Sequence, residues 1–441
     1  MVGRKSVTTG LALAAILGAE PLAAQTRVPA SGTAWDPAPH QGLHAERGGW
    51  VLMLHGDLTL YRADDGGTRG REQWGSLNWV MGSAERPAGA GTLRLRGMLS
   101  LEPLTVGDCG YPNLLQTGEV CDGGAIVDAQ HPHDLFMELS ADYARPLGRG
   151  VSADLYLAPV GEPALGPAAF MHRGSANGNP LAPINHHWLD ATHISFGVAT
   201  LGIERGIWRL EGSVFNGREP DEERYDFDFA PLTSFAGRLQ LAPVRGLVAQ
   251  VSRARLRNSH RHVVLLPPEL ECPPGVTGGL VPADGACHLI DQGDLFLDVE
   301  RTTASVSYHR HGGGWPWSVT AAWGRNEEQG HGETDGVLVE GMLGLFGGSL
   351  FGRAERVEKT DHDLAIRPSL EQFLSGEQRV FHLAKLALGF ARPFAAAGGV
   401  TASAGALASW SRIPSDLEQR YGEDWQAGAM VFLTLRPSAA H

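Results

Sequence analysis

The chain has 441 residues and a formal net charge of −13, with no basic run long enough to follow a polynucleotide, so nucleic acid is not an expected partner. Only 19 % of residues are charged and 58 are glycine. No stretch of eighteen apolar residues occurs after the N-terminus, which excludes a protein that crosses a membrane by helices. At the N-terminus, Arg4 and Lys5 precede an apolar segment, LALAAILG over residues 11–18, that is too short to span a bilayer. Small residues then lead to a peptidase site after Ala24, so residues 1–24 read as an export signal. Residues 25–48 are a leader of Pro, Gly and His, too short for a plug domain.

From residue 49 onward, apolar and polar residues alternate with period two, the mark of strands whose two faces meet different surroundings. In 50–60, Trp50, Leu52, Leu54, Leu58 and Leu60 share one face and His55, Asp57 and Thr59 the other. The same pattern sets Leu93, Leu95, Leu99 and Leu101 against Arg94, Arg96, Ser100 and Glu102, and Trp208, Leu210 and Val214 against Arg209, Glu211 and Ser213. Sixteen strands are expected over 49–62, 75–84, 91–104, 134–146, 151–160, 190–203, 206–217, 232–243, 246–257, 292–309, 315–326, 335–345, 347–359, 378–392, 397–411 and 424–436. Two read less cleanly. The apolar parity of 292–309 changes near Arg301 to Thr303, which suggests a bulge there, and 378–392 has no clearly polar face.

The linkers alternate in length. Those at 146–150, 202–206, 243–246, 312–314 and 346–348 are short, and those at 63–74, 105–133, 161–189, 218–231, 258–291 and 360–377 are long. Alternating short turns and long loops, an even strand count and an apolar outer face are the features of transmembrane β-barrels. On these features the segment 49–436 resembles the porin-like outer-membrane β-barrels: an all-β, antiparallel, up-and-down barrel of about sixteen strands. The closing segment 425–435 resembles a final barrel strand, except that the chain runs on through Arg436 and a tail at 437–441.

The resemblance implies an outer-membrane location in a Gram-negative-type envelope, with short periplasmic turns, a periplasmic leader, long external loops and membrane lipids as partners. It further implies a passive channel for small polar solutes or ions, a homo-oligomer being open. The rival readings are a barrel hydrolase of lipid or ester, for which His193 and Ser195 are the only suggestive pair, and a non-conducting surface receptor or metal binder. The hydrolase would need that pair to face the lipid. Ile194, Phe196 and Val198 instead claim the outward parity, turning His193 and Ser195 toward the lumen.

Four cysteines form two close pairs, Cys109/Cys121 and Cys272/Cys287, in Gly/Pro-rich loops; after export, each pair is expected to form a local disulfide. The expected lumen carries both signs of charge, with Arg94, Arg96 and Arg209 beside Glu138, Asp142 and Glu211. That mixture suits either a selective lining or ion pairs across the wall. Histidine is unusually frequent, at 18. His131, His133, Asp134, Met171, His172, His186, His187 and His193 gather where two long loops meet neighbouring strands, at the expected external mouth. Imidazole, carboxylate and thioether are ligands for copper or zinc, and protonated imidazoles would equally hold an anion. No cofactor is required by the fold, and packing inside folded loops is the alternative for these histidines.

Overall fold

A computed structural model describes residues 29–39, 42–121, 124–261, 279–280, 288–289, 296–310, 314–329, 332–376 and 378–438. Residues 1–24, with the expected export signal, lie outside the described residues, as do Cys272 and Cys287.

Sixteen antiparallel strands close into one barrel. They are β1 (Trp50–Asp65), β2 (Glu72–Ala88), β3 (Gly91–Leu99), β4 (Phe136–Gly148), β5 (Val151–Gly161) and β6 (Ser195–Arg205). Next come β7 (Trp208–Phe215), β8 (Ser234–Leu241), β9 (Leu247–Arg261), β10 (Phe296–Arg310) and β11 (Trp317–Glu328). The last are β12 (Gly332–Leu345), β13 (Gly348–Thr360), β14 (Val380–Ala397), β15 (Val400–Arg412) and β16 (Trp425–Pro437). Each pairs with its predecessor, and β16 closes on β1 with Leu435 opposite Leu58 and Phe432 opposite Tyr61. A short strand, Leu43–Arg47, extends that seam along Trp50–Leu54.

Each expected strand is present, because the period-two pattern is enforced by two unlike solvents. Leu58, Leu60, Leu155, Leu157, Leu201, Ile203, Leu386, Leu388, Val431 and Leu433 stand exposed on the outside. Such a continuous apolar surface is untenable in water and is what a bilayer requires. The inside carries Thr59, Arg96, Glu138, Asp154, Arg209, Glu211, Arg238, Glu340 and Arg353, all buried. Turns are short at one end, as at 149–150, 346–347 and 398–399, and loops are long at the other, with 329–331 a short exception. A tag inserted after Gly376, on the long-loop side, is therefore expected to be labelled on intact cells, and one after Gly148 or Gly398 only after the envelope is opened. Labelling of the second pair on intact cells would invert the barrel.

The chain itself occupies part of the bore. Two long loops, 100–135 and 162–194, fold into it together with residues 29–39. The leader, expected to stay in the periplasm, makes a small turn between Pro29–Ser31 and Ala34–Trp35. Its carbonyl at Gly32 accepts from Arg96, Thr33 Oγ1 accepts from Arg238 at 2.9 Å, and the Trp35 amide donates to Gln240 at 2.8 Å. In loop 100–135 the hairpin Tyr111–Cys121/Gly124–Gln130 docks on the wall. Lys385 Nζ donates to Asn113 Oδ1 (2.8 Å) and Lys359 Nζ to the Leu115 carbonyl (2.8 Å). The expected Cys109–Cys121 disulfide staples this hairpin, with a Cα–Cα distance of 5.4 Å.

Loop 162–194 is tied down by Arg173. Its Nε donates to Glu340 of β12 (2.6 Å) and its Nη1 to Asp190 of the same loop (2.6 Å). Arg353 of β13 holds the other Glu340 oxygen (2.9 Å) and the Leu181 carbonyl (2.6 Å). Trp188, 2 % exposed, sinks into an apolar cluster with Leu114, Leu115, Ile184, Val357 and Phe381. Its indole N–H donates to Thr334 (3.0 Å). Gly324 and Gly336 make this seat possible: a Cβ would lie 2.0 Å from the Trp188 carbonyl oxygen and 2.4 Å from Asn185 Oδ1 respectively.

These inserted loops overturn two local expectations and explain a third reading. The β9–β10 register is continuous from Leu247 opposite Tyr308 to Leu256 opposite Val299, so no bulge lies at Arg301–Thr303; the irregularity falls between Leu256 and His260. Val299 faces inward because it packs with Leu165, Phe215 and Leu256. Ile194, Phe196 and Val198 likewise point into the bore rather than outward, all under 7 % exposed. In β14 the inward residues Phe381 and Leu383 pack on the Trp188 cluster, which explains why that strand has no polar face there.

Candidate functional site

The predicted lumen charges meet in pairs along the wall. Arg96 lies 2.9 Å from Glu138, and Arg94 lies 2.6 Å from Glu85 and 3.6 Å from Asp142. Arg209 binds Asp154 through two bonds (2.7 and 2.8 Å) and reaches Glu211 at 3.0 Å, while Arg238 holds the other Glu211 oxygen at 2.9 Å. Two-point guanidinium–carboxylate contacts of this kind fix orientation as well as charge.

The histidines divide into groups. Strands β4 and β6 flank β5, so residues entering them, His133 and His193, start close together. His193 belongs to a 3-10 turn, Ala191–His193, and so enters the bore through the loop rather than through strand parity. Its ring lies 5.4 Å from that of His133 and 5.1 Å from that of His186. His187 adjoins His186 (5.7 Å) and His131 (6.4 Å), and its Nε2 lies 3.8 Å from Glu219. Phe170 packs on the group, 5.6 Å from His186 and 6.4 Å from His133. The other three sequence-proposed residues go elsewhere. Asp134 faces Arg224 at 3.6 Å, and burial pushes its carboxyl up to about 7. His172 sits against Trp79 (4.7 Å) and His55 (5.7 Å). Met171 packs between two apolar clusters.

Acceptor-only partners set the tautomers of the central three. His133 Nδ1 donates to Glu102 Oε2 (2.8 Å), His186 Nδ1 to Asp190 Oδ1 (2.9 Å) and His193 Nδ1 to the Asp190 carbonyl (2.8 Å). In the neutral form of each ring, Nε2 is then the atom that carries the lone pair. Burial, with His186 and His133 close by, drives His193 down to about 3, and burial likewise lowers His131. Burial alone would raise Asp190, but the Arg173 guanidinium and the bond from His186 outweigh it and hold the carboxyl well below the usual range. As placed, the imidazoles do not bring three ligand atoms all within 4.8 Å of one another. Among the described residues the group that does is Asp221, Asp226 and Asp228, which lie on a surface loop. Ser195 Oγ donates to the Thr192 carbonyl (3.1 Å), so it is not paired with His193 as nucleophile and base.

Glu102, which orders His133, lies outside the sequence-proposed set. The expected strand 91–104 stops at Leu99, and Glu102–Thr105 forms one helical turn with Pro103 in its first turn. Pro103 was the available signal, since proline suits the start of a helix and not a central strand. Beside the group a cavity of ≈ 170 Å³ remains, lined by His55, Asp57, Thr59, Trp79, His133 and Arg436 among others. His309, Ser318 and Met342 extend its lining toward the short-turn end.

Fold and lumen define a closed, antiparallel β-barrel of sixteen strands with an apolar outer surface and a charged, loop-filled interior. No family model and no curated protein matches the sequence. Among solved structures, the chain is similar to a loop-deleted OmpT, an outer membrane protein of Vibrio cholerae (TM-score 0.48, 8 % identity, covering 88 % of this chain and 99 % of that one). It is similar also to an anion-selective porin from Comamonas acidovorans (0.48, 11 %, 88 % and 99 %) and to OprB of Pseudomonas putida (0.48, 10 %, 88 % and 94 %). The barrel assignment rests on the strand count, register and apolar outer surface above.

Proposed function

We propose that the chain is an outer-membrane channel for small polar solutes or ions, closed at rest by its own leader and two inserted loops. The observation that carries this reading is the polar character of the seam between the loops and the wall on the β11–β14 side. Ser175 meets Thr320 (2.7 Å), Arg173 meets Glu340, Lys385 meets Asn113, and Arg353 meets a loop carbonyl. A hydrogen bond exchanged for water costs about 0.5–1.5 kcal/mol net when neutral, as for Ser175 and Thr320, and about 1.5–3 kcal/mol when a partner is charged, as in the other three. Water can take over these polar contacts, whereas the Trp188 cluster against β13 and β14 is the part of the seam that resists parting. Sixteen strands enclose enough space for an aqueous path once the loops shift, and the ≈ 170 Å³ cavity already holds room for on the order of ten waters.

Uptake into liposomes tests the reading. Vesicles with the protein are expected to pass small ions slowly and to exclude oligosaccharides, and vesicles without it to pass neither. Free entry of oligosaccharides would contradict a closed bore. A leak no greater than that of bare lipid, even after the loops are released by mutation, would contradict a channel.

A further inference from the structure

We propose that His133, His186 and His193 form a transition-metal site within the inserted loops, and that copper is the ion it suits best. The proposal goes beyond the channel reading and does not depend on whether the barrel conducts. Imidazoles meeting one tetrahedral ion through Nε2 at about 2.0–2.1 Å hold their ring centroids roughly 5 Å apart. His193 sits 5.4 and 5.1 Å from its two neighbours. Each of the three donates its Nδ1–H to an oxygen, of Glu102, Asp190 or the Asp190 carbonyl. That is the outer arrangement by which metal-ligating histidines are oriented. The Nε2 atoms of His133 and His193 are buried and have no hydrogen-bond partner among the described residues. A buried acceptor left so is costly, and a cation is a partner that such a lone pair accepts. As placed the three ligand atoms do not converge, so closing the site requires the rings to move together.

Methionine points to the ion. Of the eight in the chain, Met81, Met98 and Met137 form one buried cluster and Met171 packs against it. A cavity of ≈ 10 Å³, about the size of one water, is lined by Met98, Met137, His172 and His193 among others. Thioether beside imidazole favours copper over zinc, and cuprous copper most of all. His133 also lines the ≈ 170 Å³ cavity, whose lining extends through His309 and Ser318 toward the short-turn end.

The test is titration of the folded protein in detergent with Cu(I), against a competing chelator, and separately with Zn(II). One Cu(I) per chain is expected, with imidazole nitrogen in its X-ray absorption spectrum. His193→Asn is expected to weaken Cu(I) binding more than 100-fold, and Glu102→Gln, which loosens the hold on the His133 ring while keeping the side chain's size, about tenfold. Gel mobility without heating reports whether each variant still forms a barrel. Met98→Leu with Met137→Leu is expected to weaken Cu(I) while leaving Zn(II) nearly unchanged; the opposite order would overturn the assignment to copper. Absence of bound metal, or binding that survives Glu102→Gln and His193→Asn but is lost with Asp221→Asn, Asp226→Asn and Asp228→Asn together, would overturn the site.

Discussion

Replacing Arg173 with methionine is expected to release loop 162–194 from the wall while leaving the barrel closed. The guanidinium bridges Glu340 of β12 and Asp190 of the loop, and all three side chains are 1 % exposed. Removing one partner of a buried pair leaves the others charged and without compensation, at about 3–5 kcal/mol. Arg353 still holds one Glu340 oxygen and His186 still holds Asp190, so the lower end of that range is expected. The strand ladder itself does not use these side chains, which is why the barrel survives. Limited proteolysis should cut within 162–194 in the variant and not in the parent. Adding Asp190→Asn, which removes one stranded charge, should restore part of the protection. An unchanged digest would mean that Arg173 does not hold the loop.

Trp188→Ala is expected to have an effect of similar size through a different cause. It empties the seat in the Leu114, Ile184 and Val357 cluster and removes the bond to Thr334. Truncation of a buried aromatic costs about 3–5 kcal/mol. Because the cluster joins both inserted loops to β13 and β14, the cut sites should spread to loop 100–135 as well. Gly336→Val, a change in the wall alone, should give the same pattern, since a Cβ there meets Asn185 Oδ1 at 2.4 Å and the Trp188 side chain at 3.2 Å. Agreement between the two variants would assign the effect to docking. Protection in the wall variant with loss in the tryptophan variant would assign it to the loop's own folding.

The staves were legible because lipid outside and polar groups inside impose a two-residue period on every strand, as in Leu58-Thr59-Leu60. The interior was less so. Sequence parity assigns any apolar face to lipid, but Ile194, Phe196, Val198 and Val299 are apolar because loops pack on the inner wall near the long-loop end. That second apolar environment produced both the inverted parity at 194–198 and the misplaced bulge. Residues 29–39 carry no long apolar stretch, and they enter the bore by backbone contacts to Arg96 and Gln240 and a Thr33 hydroxyl contact to Arg238 that composition does not reveal. The approach of His133 to His193 followed from strand order, whereas the parting of Asp134 toward Arg224 and of His172 toward Trp79 depends on loop paths.

Single-channel recording in planar bilayers, parent beside Arg173→Met, tests the central claim of a conduit closed by its own loops. The parent is expected to show small or rare currents, and the variant larger and more frequent ones at the same protein density. Large, steady currents from the parent, or silence from a variant whose loop is already open to protease, would contradict it.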